Sequence, residues 1–202
     1  MIPQHFAYLI LPIFIYSVWD YIVLILKDKV SPKIVSWGLW SFSNLTAFIV
    51  AIYKNQQFMD LFGLFAASVC CGTVAIFGLT RKNKSLEIGK LDWVCIALTL
   101  IGILVSLVTT NLFWALIFAM IADVSACVPT FINAFVNPEK EGLTNFSLAM
   151  LCKIIGFLVI KDYNFYTLAF PLQSFANNLI ILLPLVIFAV FKYKFFQVKV
   201  VR

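Results

Sequence analysis

Seven stretches of about twenty residues follow one another along the chain, each with no more than one charged residue: 6–26, 34–53, 58–79, 91–109, 112–132, 143–160 and 166–191. A run of that length crosses ~30 Å of hydrocarbon once as a helix. Backbone amides in hydrocarbon need internal partners, and the alternation of a barrel strand is absent, so each stretch is expected to be helical. The expected fold is all-α: a polytopic membrane protein, 1–202, with seven transmembrane helices in a single membrane domain. Composition supports this, because a chain that is 63% hydrophobic and 12% charged, with mean hydropathy +1.01, has more apolar surface than a soluble domain of its size can hide.

The fourth stretch, LDWVCIALTLIGILVSLVT (91–109), carries only Thr and Ser as polar residues after Asp92. Three stretches precede it and three follow. Three crossings leave the next triplet inverted, and a fourth, plain crossing restores the orientation. The expectation is therefore a 3+1+3 arrangement: a first half over 1–80, a linker helix at 91–109 and a second half over 112–192, related as parallel repeats. Ser31-Pro32 before the second stretch and Asn137-Pro138 before the sixth are offset by 106 residues, while Asp20 and Asp123 are offset by 103. Ser or Asn can cap a helix, and Pro suits its first position.

The net charge of +6 is an orientation signal. One set of connections holds Lys27, Lys29 and Lys33, then Arg81, Lys82, Lys84 and Lys90, then Lys140, and finally Lys192, Lys194, Lys199 and Arg202. The other set holds Lys54 and Lys161. The positive-inside rule then expects an outside N-terminus and a cytoplasmic C-terminus. Scattered among short connections rather than interleaved with aromatics on one face, these cations do not suggest a nucleic-acid partner. Met1–His5 lacks a basic region ahead of a long apolar stretch, so no cleaved signal peptide is expected. The five cysteines, Cys70, Cys71, Cys95, Cys127 and Cys152, all lie in apolar stretches without a Cys-x-x-Cys pair, which points to neither disulfides nor a metal.

Polar groups at membrane depth are the functional candidates. Asn44 is ten residues into its stretch, Ser68 ten, Asp123 eleven, Lys153 ten, and Asn177 and Asn178 eleven and twelve. At ~1.5 Å per residue all fall near the midplane, on five helices. Asp20, with Trp19 beside it, lies nearer the cytoplasmic side and is a candidate for the solute pathway or for coupling. A charge at the midplane costs ~2.5–3.5 kcal/mol on the insertion scale and persists when paired, hydrated or turned into the bundle. Asp123 and Lys153 sit on consecutive helices, so an ion pair between them is expected. Such a pair either fixes helix register or belongs to a polar cavity. Trp40 and Asn44, at i and i+4, share a helix face and offer an aromatic surface beside an amide.

Other polar and aromatic residues have plainer readings. Asp60 and Asp92 lie in first helical turns and read as caps. Trp37, Trp93 and Trp114 lie near expected boundaries and read as interfacial anchors. Pro12, Pro129, Pro171 and Pro184 interrupt helices and can bend them. With one histidine, His5, and no nucleophile or phosphate-cradling motif, enzymatic chemistry and a cofactor are not expected.

Seven helices, an outside N-terminus, two triplets and a plain fourth helix resemble the SWEET and PQ-loop superfamily of small-solute carriers. The most specific piece is SPKIVSWGLW (31–40), which follows a helix ending at Lys27 and is similar to small bacterial membrane proteins at the edge of that superfamily. ADVSACVPTFINAFVNPEKEGLT (122–144) occupies the matching region of the second half. The resemblance covers six of the seven helices and implies a midplane site between the halves, with an Asn on the third helix of each. Asn177 or Asn178 fits that role in the second half, while Ser68-Val69-Cys70 stands in the matching place of the first. The Pro-Gln dipeptide is missing from both first helices, and Val128-Pro129-Thr130 occupies the second position. Together with the charges of Asp123 and Lys153, these departures point away from a sugar and toward an amphoteric or ionic solute, or toward proton coupling.

The expectation is thus a carrier of a small polar solute (a sugar, amino acid or related metabolite) working by alternating access, with Trp40, Asn44, Ser68, Asp123, Lys153, Asn177 and Asn178 at its site. The alternative is a non-transporting scaffold or receptor-like protein on the same bundle. Lipid is the expected surroundings, and a homo-oligomer is compatible with either reading.

Overall fold

The computed structural model describes residues 3–53, 58–80, 88–161 and 163–200. Lys54, Arg81, Lys82, Lys84, Arg202 and the side chains of Asp60, Lys194 and Lys199 lie outside what is described. The described residues form seven α-helices and no strand: α1 (Ile10–Leu26, entered through a 3-10 turn at Gln4–Leu9), α2 (Ile34–Tyr53), α3 (Phe58–Thr80), α4 (Lys90–Val108), α5 (Leu112–Val136), α6 (Leu143–Val159) and α7 (Phe165–Val200). Six are long and apolar enough to cross a membrane, and the chain is an integral membrane protein by that measure. The exception is α6, whose 17 residues stop short of that length. It starts at Leu143, as expected, but Asn137-Pro138 does not cap it: Asn137 ends α5, Pro138–Lys140 forms a 3-10 turn, and Gly142 precedes the helix.

Six helices pack in a ring in the order α1, α3, α2, α5, α7, α6 and back to α1. The fourth helix stands outside that ring, against α5 and α2. It buries a narrow stripe, Asp92, Cys95, Thr99, Gly102, Ile103 and Ser106, at helical spacing. The stripe is made of small residues because the backbones come close: a Cβ on Gly102 would lie 2.7 Å from the Phe118 carbonyl oxygen, and the Thr99 hydroxyl donates to the Ala122 carbonyl at 3.1 Å. Asp92 caps the start of α4, its carboxylate accepting from the Gly89 N–H at 2.9 Å. The remaining faces of α4, including Trp93, Leu98, Leu104 and Leu107, are exposed, as is Trp114 at the start of α5.

Side chains in the ring settle their polar groups on nearby backbone, as hydrocarbon requires. Asn44 donates to the Trp40 carbonyl at 2.8 Å, Thr46 to that of Phe42 at 2.8 Å, and Ser125 to that of Ile121 at 2.8 Å. Between α2 and α3 the clasp is reciprocal. Ser41 donates to the Ser68 carbonyl at 2.9 Å, and Ser68 to the Ser41 carbonyl at 2.8 Å.

Trp37 is not an interfacial anchor. It is buried, with its ring centroid 5.3 Å from that of Tyr21, 5.5 Å from Trp40 and 6.0 Å from Phe146. Its i, i+3 relation to Trp40 puts both indoles on the face that α2 turns into the ring. This aromatic cluster fills the ring at the end where α1 runs into α2 and α5 into α6. The connections at that end touch: the Ser31 N–H donates to the Lys140 carbonyl at 2.8 Å. We refer to it as the lysine-rich end.

Candidate functional site

The ring encloses a cavity of about 90 Å³ to which all six of its helices contribute and α4 does not. Trp40 and Asn44 reach it from α2, Asp123 from α5, Lys153 from α6, and Ser174, Asn177 and Asn178 from α7. Phe14 and Val18 of α1 and Cys70 and Cys71 of α3 supply the rest of the first-half wall. Residues scattered over more than a hundred positions thus meet because each sits midway along a helix on its ring-facing side.

Asp123 is 2% exposed and held by neutral donors. Ser43 Oγ donates to Oδ1 at 3.3 Å, while Gln173 Nε2 and Asn177 Nδ2 donate to Oδ2 at 3.2 and 2.9 Å. Lys153 donates to Ser174 Oγ from the neighbouring wall. The expected direct ion pair does not form: among the described residues no contact within 4.0 Å joins the two charges. They face the same cavity and act on each other across it. The reason is local, since Gln173, Asn177 and Ser174 on one stretch of α7 give each charge a closer partner.

The amides leave a second feature. Asn44 donates to the Trp40 carbonyl, Asn177 to Asp123 and Asn178 to the Phe146 carbonyl, the last at 2.9 Å. Each acceptor fixes which end of the amide is nitrogen. Among the described residues no donor reaches the three Oδ1 atoms, so the wall presents acceptors to whatever fills the cavity. Lys153 supplies the opposite character, with two ammonium protons not spent on Ser174. The site can therefore receive donors on the α2–α5–α7 side and an acceptor or anion on the α6 side.

A second cavity of about 80 Å³ adjoins the first and shares Asn44, Lys153 and Ser174 with it. It runs toward the other end of the ring, past Ile10, Gly63, Leu64, Ile160 and Pro171. At the lysine-rich end, Tyr21, Trp37 and Phe146 stand below the first cavity instead. The two ends are therefore unlike along the middle of the ring, where the second cavity continues one way and aromatic rings pack the other. A separate cavity of about 340 Å³ lies at the lysine-rich end among Ser31, Lys33, Asp92, Asn133, Asn137 and Lys140.

Three candidates fall elsewhere. Ser68 is buried but spent on the clasp with Ser41, and it lines neither cavity. Trp19 is 67% exposed, because two residues on from the inward Ser17 a helix presents its opposite side. Asp20, beside it, is half-buried and also lines neither cavity. Ser43, Gln173 and Ser174 belong to the site and were not singled out from sequence. The spacing of Gln173 to Asn177, i to i+4, was the signal that could have found one of them.

Glu141 is the other residue that sequence reasoning passed over. It sits in the α5–α6 connection yet is only 5% exposed. Tyr21 Oη donates to Oε2 at 3.1 Å, and Asn133 Nδ2 to Oε1 at 2.5 Å. Burial pushes its carboxyl up to about 7, against the opposing pull of the Asn133 and Tyr21 hydrogen bonds and the Lys33 charge. Beside it, Ser17 Oγ donates to Asn145 Oδ1 at 2.7 Å. Among the described residues no group of three or more His, Cys, Asp or Glu side chains is placed to hold a metal. Compared with family models, with curated proteins and with solved structures, the chain matches none.

Proposed function

We propose that the chain is a membrane carrier of a small polar solute, with α1–α3 and α5–α7 rocking about the central cavity. The observation that carries this reading is that cavity: polar side chains from both triplets converge on it, whereas the helix expected to be a linker contributes nothing. The ring order supports a 3+1+3 parallel repeat. Advancing three places around it carries α1 to α5, α3 to α7 and α2 to α6, the exchange that a two-fold axis along the membrane normal makes. In this reading α6 is the seventh crossing. Its 17 residues give about 25 Å, a shortfall that a bilayer meets by local thinning.

The lysine-rich end is taken as cytoplasmic and the second cavity as the route from outside, with a bacterial inner membrane as the setting. The likeness to SWEET and PQ-loop carriers is part of the same proposal. Trp40, Asn44, Asn177 and Asn178 contact the solute, and Asp123 and Lys153 set its charge preference.

A cavity of about 90 Å³ is smaller than the ~300–1,000 Å³ usual for ligand pockets. A small, partly open cavity of this kind is compatible with a carrier and equally with a non-transporting scaffold or receptor-like bundle. Flux separates the two. Purified protein in liposomes, offered a panel of sugars, amino acids and nucleosides, is expected to move at least one. Lys153→Met and Asp123→Asn are each expected to alter that flux while preserving folded yield. A parent that moves none of the panel, or variants that only fail to fold, count against the carrier.

A further inference from the structure

Four contacts at the lysine-rich end cross from the first triplet to the second or brace that crossing. Tyr21 of α1 donates to Glu141, Ser17 of α1 donates to Asn145 of α6, and Ser31 donates to the Lys140 carbonyl. Asn133 of α5 fixes the other oxygen of Glu141. Alternating access requires every crossing contact at one end to part, so this group is what an inward-opening movement must undo. This inference rests on the carrier reading given above.

Glu141 is the member that can change state. It lies in a connection between helices, at the end of the bundle, and it is buried with hydrogen bonds only from neutral groups. The charged and titratable groups around it are Tyr21 from α1, Lys33 from the α1–α2 connection, its own neighbours Glu139 and Lys140, and Asp92 of α4 across the cavity that Lys33, Asn133 and Lys140 also line. From α5 come the neutral amides of Asn133 and Asn137, and from α6 that of Asn145. The α7 helix, which packs on the same turn, carries Lys192, whose ammonium lies over the Phe188 ring. Among the described residues Glu141 has no direct ion-pair partner, so when ionised it is a buried charge that gains hydration when the end opens.

We propose that Tyr21, Glu141 and Asn133 form a proton-sensitive latch that holds the two triplets together at the lysine-rich end, closed when Glu141 is protonated and released when it ionises. The proton leaves to water on the lysine-rich side, and no other bond is made or broken. Because the closed state binds that proton more tightly than an open, hydrated one, acidity on this side favours closure.

Gly142 suits the same arrangement. A Cβ there would run into the Tyr21 ring, so glycine is what lets the connection lie flat against the phenol.

The test uses native Cys71, which lines the cavity, in a protein whose other four cysteines are replaced. A small water-soluble methanethiosulfonate is applied from each side of sealed, oriented vesicles. The quantity read is the ratio of labelling rates, lysine-rich side over opposite side, so that the pH dependence of the thiol itself cancels. In the parent the ratio is expected to rise at least about tenfold between about pH 5.5 and about pH 8.5. Glu141→Gln is expected to remove that rise, and Tyr21→Phe to lift the ratio at every pH. A parent labelled from both sides with a pH-independent ratio, or a Glu141→Gln protein that keeps the rise, overturns the latch alone. Should Glu141→Gln fail to fold, Tyr21→Phe decides: an unchanged ratio overturns the latch. A Cys71 that labels from the opposite side but never from the lysine-rich side, in parent and Tyr21→Phe alike, overturns alternating access and the latch with it.

Discussion

Two buried carboxylates, Asp123 and Glu141, are solvated by protein in the same way and placed to different ends. Each is held by neutral side-chain donors: Ser43, Gln173 and Asn177 for the first, Tyr21 and Asn133 for the second. Asp123 looks into a cavity, with Lys153 on a neighbouring wall. Glu141 lies in a polypeptide connection against the Tyr21 ring and lines neither of the two central cavities. In the proposed reading the same chemistry serves a solute site in one place and a closure in the other, and what separates them is whether the carboxylate borders the central cavity.

The sharpest way to break this contrast is to remove the charge at each place. Asp123→Asn is expected to lower solute flux about a hundredfold, the scale expected when a charged partner is lost from a desolvated site. Initial rates in liposomes measure it. Flux within a few-fold of the parent would move Asp123 from the binding surface to the structural class.

At Glu141 the charge is instead expected to act on stability. In the folded protein its carboxyl titrates near 7, against about 4.5 in an unfolded chain. Between those values the folded state holds the proton and the unfolded state does not. The stability tied to this group is therefore full below about pH 4.5 and falls as pH rises toward about 7, by roughly 3 kcal/mol. Thermal unfolding in detergent across that range checks the direction, and Glu141→Gln is expected to flatten that component.

Smaller effects sharpen the picture of each neighbourhood. Gly142→Ala pushes a methyl into the Tyr21 ring and is expected to destabilise by about 1–3 kcal/mol, the usual result of overpacking. Ser68→Ala removes one arm of a clasp that bonds neither carboxylate, and is expected to cost about 0.6 kcal/mol, as single hydrogen bonds between membrane helices do. Solute flux should be unaffected by it. A large loss of flux in Ser68→Ala would make that residue part of the solute site although it lines neither cavity.

The two carboxylates also differ in how readable they were. Asp123, Lys153, Asn44, Asn177 and Asn178 stand out because each lies midway along a predominantly apolar stretch with no other charged residue, and a charge or amide there has few explanations. The ring-facing placement of Trp40 follows from its spacing to Asn44. Glu141 lies between Lys140 and Gly142 in a short polar connection, where an acidic residue reads as solvated. Its burial depends on Tyr21, 120 positions earlier, and on where two connections meet. Hydropathy carries no information about either.

For a related reason the Asp123–Lys153 pair was only half legible. Sequence depth put both charges at one level, but the choice of partner was made by Gln173, Ser174 and Asn177 on a third helix. Trp37 shows the limit of boundary rules. Position near a helix end suggested the interface, while the face it shares with Trp40 sent it inward.

The most direct test of the account is whether the cavity among these side chains is wet. Ala149 lines it with a methyl group, and Val69, mid-helix on α3, is 53% exposed on the bundle surface. Each is changed to cysteine in an otherwise cysteine-free protein and treated with a membrane-impermeant thiol reagent in vesicles. The account predicts that Ala149→Cys reacts from at least one side and Val69→Cys does not. An Ala149→Cys as inert as Val69→Cys from both sides would mean that the polar groups are sealed in dry contact, which contradicts a solute site.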